Sequence, residues 1–174
     1  MKKFLKTFLF LNIVSMASFT TACTFNGGGS SDPTPTPPIP KPHDIKYWQT
    51  LKKQDISFSS DCDSMLQEIK SNKDQYDNQE QYQCALDEVT AEKYLYQASI
   101  NNCDYQILLL EKITNFTPEQ KVLAIKTLQT EIMNLNHELI LKQKYPYDYS
   151  KTELSILTKQ INDTQTILNQ LLKP

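Results

Sequence analysis

The chain has 174 residues, with 18 basic and 20 acidic side chains and a formal net charge of −2. Every basic residue is a lysine, so the chain lacks the positive surface of a nucleic-acid-binding protein and the arginines that grip phosphate or guanine at two points. Its 39% of hydrophobic residues also separates it from intrinsically disordered chains. These values predict one folded domain of moderate size and no nucleic-acid partner.

The first residues of the chain predict an export signal. Lys2, Lys3 and Lys6 precede an apolar stretch that runs over residues 8–19. About 12 apolar residues are too few to cross a bilayer as a helix, which takes roughly 20. They fit the apolar region of a secretory signal peptide instead.

The end of this signal carries a cysteine motif. Thr20-Thr21-Ala22-Cys23 resembles the lipobox of bacterial lipoprotein signal peptides. The resemblance implies that residues 1–22 are removed and that Cys23 becomes a lipid-modified N-terminus. It also implies the outer membrane rather than the inner one, because Thr24 and not an aspartate follows the cysteine. An ordinary export signal, cut after Ala17 or after Ala22, is the alternative.

Residues 23–42 predict a disordered tether. The three glycines of the chain stand together at 27–29, and six of its nine prolines fall between Pro33 and Pro42. This composition cannot bury a core and is typical of a flexible joint followed by a semi-rigid spacer. Ten residues in a polyproline conformation reach about 30 Å. A lipid-anchored domain needs such a spacer to clear the lipid headgroups.

Residues 43–174 predict an all-α domain. They contain no glycine, and proline occurs only at Pro118, Pro146 and Pro174. Antiparallel sheets need glycine-containing turns between their strands, so sheet is not expected. The first two predicted helices cover residues 44–53 and 61–70, joined by an irregular strand-like segment at Ile56 and Phe58.

A long third helix is predicted over residues 75–114. Its stripe repeats in steps of three and four residues: Leu86, Val89, Lys93, Tyr96, Ile100, Cys103, Ile107 and Leu110. Turn-favouring side chains cluster at Ser71–Asp74 and predict a turn before this helix, with Asp77-Asn78 as a second possible break. One unbroken helix from Asp61 to Thr114 is the alternative.

The last two helices are predicted over residues 118–144 and 151–172. Thr117 with Gln120, and Ser150 with Glu153, each have the spacing of a capping box at the start of a helix. Both helices carry stripes with this spacing, at Ile125, Leu128, Ile132, Leu135 and Leu139, and at Leu154, Leu157, Ile161, Thr164, Leu168 and Leu171. The short connector between them predicts an antiparallel hairpin. The expected fold is therefore an antiparallel helical bundle with coiled-coil-like hairpins.

Three cysteines follow the predicted anchor. Export makes disulfide bonds feasible, and a turn near residue 73 would bring Cys62 towards Cys84, so these two are the candidate pair. Cys84 and Cys103 on one helix would lie about 28 Å apart, beyond the roughly 7 Å that a bridge allows between Cα atoms. Cys103 is predicted as a buried free thiol. A covalent dimer through Cys103 or Cys62 is the alternative.

No arrangement of residues predicts catalysis, a metal site or a cofactor. Asp61-Cys62-Asp63 is the only dense cluster of metal-ligating types, and it is typical of a helix N-terminus, where the dipole favours acidic residues. His43 adjoins the tether, and His137 lies off the apolar stripe of its helix, so both are expected in solvent. The domain is therefore predicted not to be an enzyme.

Tyrosines are the more suggestive feature of the domain. The chain has nine, and Tyr145, Tyr147 and Tyr149 crowd the connector before the last helix. Tyrosine is amphipathic and enriched at protein interfaces, so these three are candidate contacts with a partner. The alternative is that they cap the open end of the bundle.

These features together predict a non-enzymatic lipoprotein of the bacterial cell envelope, anchored by lipid and carrying a helical interaction domain. The domain is expected to bind another envelope protein, or a second copy of itself, in a structural or assembly role, because long apolar stripes pair readily with partner helices. The alternative is an exclusion or inhibitor lipoprotein that binds a foreign protein or enzyme at the cell envelope.

Overall fold

The computed structural model describes residues 43–111, 116–146 and 148–173, and within these ranges the chain forms four α-helices and no strand. The helices are α1 (Ile45–Ser71), α2 (Gln79–Glu111), α3 (Pro118–Gln143) and α4 (Lys151–Leu172). They belong to one compact unit of the chain, and each packs on the next in sequence order. The predicted all-α helical bundle is confirmed. The predictions for the signal peptide, Cys23 and the tether lie outside the described residues.

Side-chain pairs fix α1 and α2 as an antiparallel hairpin. Near the start of α1, Lys52 pairs with Asp104 on α2. Further along α1, Asp55 Oδ2 accepts a hydrogen bond from Ser99 Oγ at 2.6 Å. Near the end of α1, Asp63 pairs with Lys93. Because the α2 partners decrease in number as the α1 residues increase, the two helices run in opposite directions.

The prediction of two short helices at 44–53 and 61–70 is wrong, because α1 is continuous. Its buried residues, Trp48, Asp55, Cys62 and Ile69, recur every seven residues, which is the spacing of a coiled-coil seam. The carboxylate of Asp55 interrupts the apolar pattern of this seam in the sequence. In the fold, Ser99 of α2 provides its hydrogen bond, so the helix does not break there. The strand-like segment at Ile56 and Phe58 is helical too.

The predicted turn after residue 71 is confirmed, and the alternative of one unbroken helix is wrong. The backbone N–H and the side-chain amide of Asn72 both donate to the carbonyl of Glu68, each at 3.0 Å, and so end α1. A single 3₁₀ turn follows at Lys73–Gln75. The side chain of Asn78 accepts a hydrogen bond from the N–H of Gln81 at 2.9 Å, so α2 begins at Gln79 rather than at residue 75.

Helix α2 is buried on two faces because it lies between α1 and α3. Val89, Tyr96 and Cys103 of the predicted stripe are buried, and the first two pack with Cys62 and Ile69 of α1. A second set of buried residues, not predicted, packs against α3 and α4 and consists of Ala98, Tyr105 and Leu108. A helix that contacts neighbours on opposite sides cannot show a single apolar stripe in its sequence.

Both predicted capping boxes are formed, and they set the starts of α3 and α4. The two helices are antiparallel, since Thr164 Oγ1 donates to Glu131 Oε1 at 3.1 Å and Lys121 Nζ donates to the carbonyl of Lys173 at 3.0 Å. Their apolar stripes meet, with Leu135 packed in one cluster with Leu157. The predicted α3–α4 hairpin is therefore confirmed.

Candidate functional site

The connector between α3 and α4 is tied to α2 through Asp87. The hydroxyl of Tyr145 donates to Asp87 Oδ2 at 2.9 Å, and Lys144 Nζ donates to the same oxygen at 3.1 Å. Gln83 Nε2 donates to Oδ1 at 2.8 Å. Burial acts to raise the pKa of Asp87, but these three donors together hold it below its ordinary value. Burial and the bond to Asp87 raise the pKa of Tyr145 to about 12.

Tyr149 also packs on the bundle. Its ring is half-buried, with Lys142 Nζ 5.3 Å from the ring centroid. Burial, followed by the charges of Glu88 and Glu92 on α2, raises the pKa of its hydroxyl. Tyr147 lies outside the described residues. Tyr145 and Tyr149 thus make contacts that would cap this end of the bundle, and their contact with a partner remains a prediction.

The predicted disulfide between Cys62 and Cys84 is wrong, since Cys62, Cys84 and Cys103 are all free. The register of the α1–α2 hairpin explains why. Asp63, the neighbour of Cys62, pairs with Lys93, and Cys84 lies nine residues before Lys93 on the same helix. Nine residues of helix separate the two cysteines by roughly 13 Å along the axis, about twice the distance that a bridge allows.

Cys103 is a buried free thiol. Its side chain has 0% exposure, and burial raises its pKa to about 12. A protonated thiol enclosed in this way is a poor nucleophile. An intermolecular bond through Cys103, the predicted alternative, would require the α1–α2 hairpin to open.

Two buried glutamates on α3 were not predicted. Glu131 is 8% exposed; its Oε1 accepts the hydrogen bond from Thr164, while its Oε2 has no hydrogen-bond partner. Burial raises the pKa of Glu131 to about 7. Glu138 is 1% exposed; its Oε1 pairs with Lys142 Nζ at 2.6 Å, and its Oε2 also has no partner. Extending the stripe from Leu128 in steps of three and four residues reaches both positions, so the helical spacing in the sequence could have indicated that they are buried.

A polar cluster surrounds Glu138, where α2, α3 and the connector meet. Burial raises the pKa of Glu92 on α2. The charge of Lys142 acts to lower this pKa and the charge of Glu138 acts to raise it, and the net shift is upward. Tyr149 lies close enough to Glu88 and Glu92 for their charges to act on its hydroxyl, so Tyr149 and Glu88 belong to this cluster as well. Within the described ranges no three His, Cys, Asp or Glu side chains are placed to hold a metal ion. The cluster has one lysine among its carboxylates and joins three parts of the bundle.

A shallow depression lies beside the α1–α2 turn. Its volume is about 300 Å³, at the lower end of the range for ligand pockets. It is lined by Lys73, Asp74, Tyr76, Asn78, Gln79 and Tyr82. Most of these side chains are exposed, so a small molecule bound there would remain in contact with water. The depression therefore lacks the enclosure of a substrate site.

The outward side of α3 carries apolar residues that are not used in the fold. Val122, Met133 and Ile140 are 67%, 50% and 56% exposed. Their separations of 11 and 7 residues place them on one side of the helix, away from the buried Leu128. We call Val122, Met133 and Ile140 the outer face.

The outer face was not predicted, although its residues are visible in the sequence as apolar positions left over from the core stripe of α3. Among the described helices, none combines the length and apolar character needed to cross a bilayer. Comparison of the chain with protein-family models, curated proteins and solved structures finds no match. The geometry of the chain itself therefore carries the functional argument.

Proposed function

We propose that this chain is a non-enzymatic lipoprotein of the bacterial cell envelope whose helical domain binds another protein in a structural or assembly role. Lipid on Cys23 anchors it, in the outer membrane according to the residue that follows the lipobox-like motif. Residues 24–42 serve as the tether, and the helical bundle serves as the binding domain. The partner is an envelope protein or a second copy of this chain.

The observation that carries the proposal is the outer face. Isolated exposed apolar residues are common on protein surfaces, but these share one side of one helix. On α3 they repeat over about five turns, which is the pattern that pairs a helix with the apolar seam of another helix. The occupant that fits is therefore an amphipathic helix of the partner.

The fold supports the outer face from behind. Helix α3 lies between α2 and α4, and its inward residues Leu128 and Leu135 are buried among them. Capping boxes at Thr117 and Ser150 hold the starts of α3 and α4. A helix held in this way loses little conformational freedom when a partner binds, so more of the contact energy appears as affinity.

The experiment is crosslinking in intact cells, followed by mass spectrometry of the partner. Met133→Asp with Ile140→Asp places two charges on the outer face, and we expect recovery of the crosslinked partner to fall at least about tenfold. Gln54→Asp with Gln67→Asp adds the same charge to exposed polar positions of α1, away from α3, and serves as the matched control. Equal recovery from both double variants would contradict the proposed binding surface.

Two further readouts complete the test. Incorporation of labelled palmitate, lost in Cys23→Ala, tests the anchor independently of the partner. Circular dichroism of the double variants is expected to be unchanged, because Met133 and Ile140 are half-exposed and take no part in the described clusters. The origin of the partner, from the same cell or from a foreign source, separates the assembly role from the inhibitory alternative.

A further inference from the structure

The fold brings the starts of α1 and α3 and the ends of α2 and α4 to one end of the bundle, where residue 43 also lies. The Lys52–Asp104 pair places the start of α1 beside the end of α2. The bond from Lys121 to the carbonyl of Lys173 places the start of α3 beside the end of α4. Tyr105 and Leu108 of α2 pack with Ala124 and Leu128 of α3, which joins the two pairs. We call this the tether-side end, because residues 1–42 lead into it.

Large apolar side chains are exposed at the tether-side end. They come from all four helices and are Tyr47, Leu109, Leu110, Leu123 and Leu172. Exposed lysines at Lys46, Lys126 and Lys173 are balanced there by exposed carboxylates at Asp44, Glu111 and Glu119. Exposed apolar side chains gathered at one end of a domain are the feature by which a protein surface settles into the interface of a bilayer.

The opposite end of the bundle has a different character. It carries the exposed carboxylates Asp74, Asp77, Glu80 and Asp148 together with the exposed lysines Lys70, Lys73, Lys144 and Lys151. No large exposed apolar side chain occurs in residues 72–78, or among the described residues of 144–150. The two ends therefore differ in their exposed apolar side chains and not in net charge, and the interface of a bilayer would accept the tether-side end.

We propose that the tether-side end rests on the lipid surface that holds the Cys23 anchor, an inference that rests on the proposed lipidation. Lipid is the expected contact for this end because His43, where the anchored chain enters the domain, lies there. Anchoring raises the effective concentration of the domain at the bilayer, so that a small apolar surface suffices for contact. The flexible joint predicted at residues 27–29 lets the spacer lie along the bilayer, so that its length of about 30 Å limits the lateral movement of the domain and does not hold it away from the lipid.

This contact gives the outer face a defined orientation. With the tether-side end on the membrane, α3 rises from the surface starting at Pro118, and Ile140 lies farther from the lipid than Val122. The partner helix would then meet a surface that stands upright on the membrane, rather than the surface of a tethered domain that rotates freely. Of the outer face only Val122 lies near the lipid, so Met133 and Ile140 stay available to a partner.

The test measures how close each end of the bundle lies to lipid. The full lipidated chain, with Cys84→Ser and a fluorophore on either Glu119→Cys or Asp77→Cys, is reconstituted in vesicles of phosphatidylethanolamine and phosphatidylglycerol. Glu119 and Asp77 are exposed at opposite ends, and the remaining thiols Cys62 and Cys103 are buried. Lipids carrying a nitroxide in the headgroup region are expected to quench the label at position 119 at least about fivefold more than the label at 77.

A variant assigns the contact to the apolar side chains. Leu110→Ser with Leu123→Ser is expected to reduce quenching at position 119 at least about threefold, because it removes two of the side chains that enter the interface. Ile56→Ser, on the exposed side of α1, is the matched control and leaves the quenching unchanged. Equal quenching of the labels at 119 and 77 overturns the inference.

The remaining outcomes separate the inference from the proposed function. A chain that carries no lipid and washes off the vesicles contradicts the proposed function, and the inference falls with it. A chain that stays on the vesicles with its label at 119 open to aqueous iodide contradicts the inference alone. A label shielded from iodide but unquenched by lipid shows that protein covers this end, which also overturns the inference.

Discussion

Glu131 provides the sharpest test of the packing of α3, because its carboxylate is buried with one oxygen unpartnered. We consider Glu131→Gln. The amide has nearly the same size and shape as the carboxylate, and its oxygen can still accept the hydrogen bond from Thr164. The substitution therefore removes the ability to ionise and leaves the packing nearly unchanged.

The magnitude follows from the pKa of Glu131, which burial raises from 4.5 to about 7. The folded state holds this proton more tightly than the unfolded state does. The stabilisation it brings is complete below pH 4.5 and is lost as the pH rises towards 7. The loss amounts to about 3 kcal/mol above pH 7, at about 1.4 kcal/mol for each pH unit of difference in pKa. Glu131→Gln escapes this loss, so its gain in the free energy of unfolding is expected only at high pH.

The assay is urea unfolding at pH 4 and at pH 8, followed by circular dichroism and by the fluorescence of Trp48, the single tryptophan of the chain. At pH 8 we expect Glu131→Gln to be more stable than the unmodified chain by about 3 kcal/mol. At pH 4 the two should agree closely. Glu68→Gln, at an exposed position of α1, is the control and should change neither value. An equal gain at both pH values, or none at pH 8, would refute the reasoning.

Two further predictions concern hydrogen bonds between helices. Ser99→Ala removes the donor to the buried carboxylate of Asp55, so we expect the free energy of unfolding in urea at pH 7 to fall by about 1–3 kcal/mol; no change would mean that water replaces the serine. Tyr145→Phe removes one donor to Asp87, so the pKa of Asp87 should rise towards its ordinary value, which an NMR titration of its carboxyl carbon measures. An unmoved titration midpoint would show that the Tyr145 bond is not formed in solution.

Local features of the chain predicted most of the helix boundaries. The capping boxes at Thr117 and Ser150 and the turn after Ser71 involve residues within four positions of each other, so their hydrogen bonds can be anticipated from the sequence. The break in α1 was predicted wrongly because the partner of Asp55 is Ser99, which lies far along the chain. A buried polar residue is indistinguishable from a loop residue until its partner is known.

The candidate site shows the same division. The connector tyrosines stood out in the sequence, but only the fold shows that Tyr145 donates to Asp87 instead of pointing into solvent. The Cys62–Cys84 pair agreed with the predicted turn, yet the helix register keeps these residues apart. Register depends on which side chains interlock across two helices, and the position of a turn does not determine it.

The amino-acid sequence alone determined that the domain is helical, because it has no glycine after residue 29 and its apolar residues recur at helical spacing. It also determined where α3 and α4 begin. Only the tertiary structure decided that α1 is one helix, that Glu131 and Glu138 are buried, and that Val122, Met133 and Ile140 face outward. The physical reason is that helix formation depends on neighbours within one or two turns, whereas burial depends on which helices pack on each side.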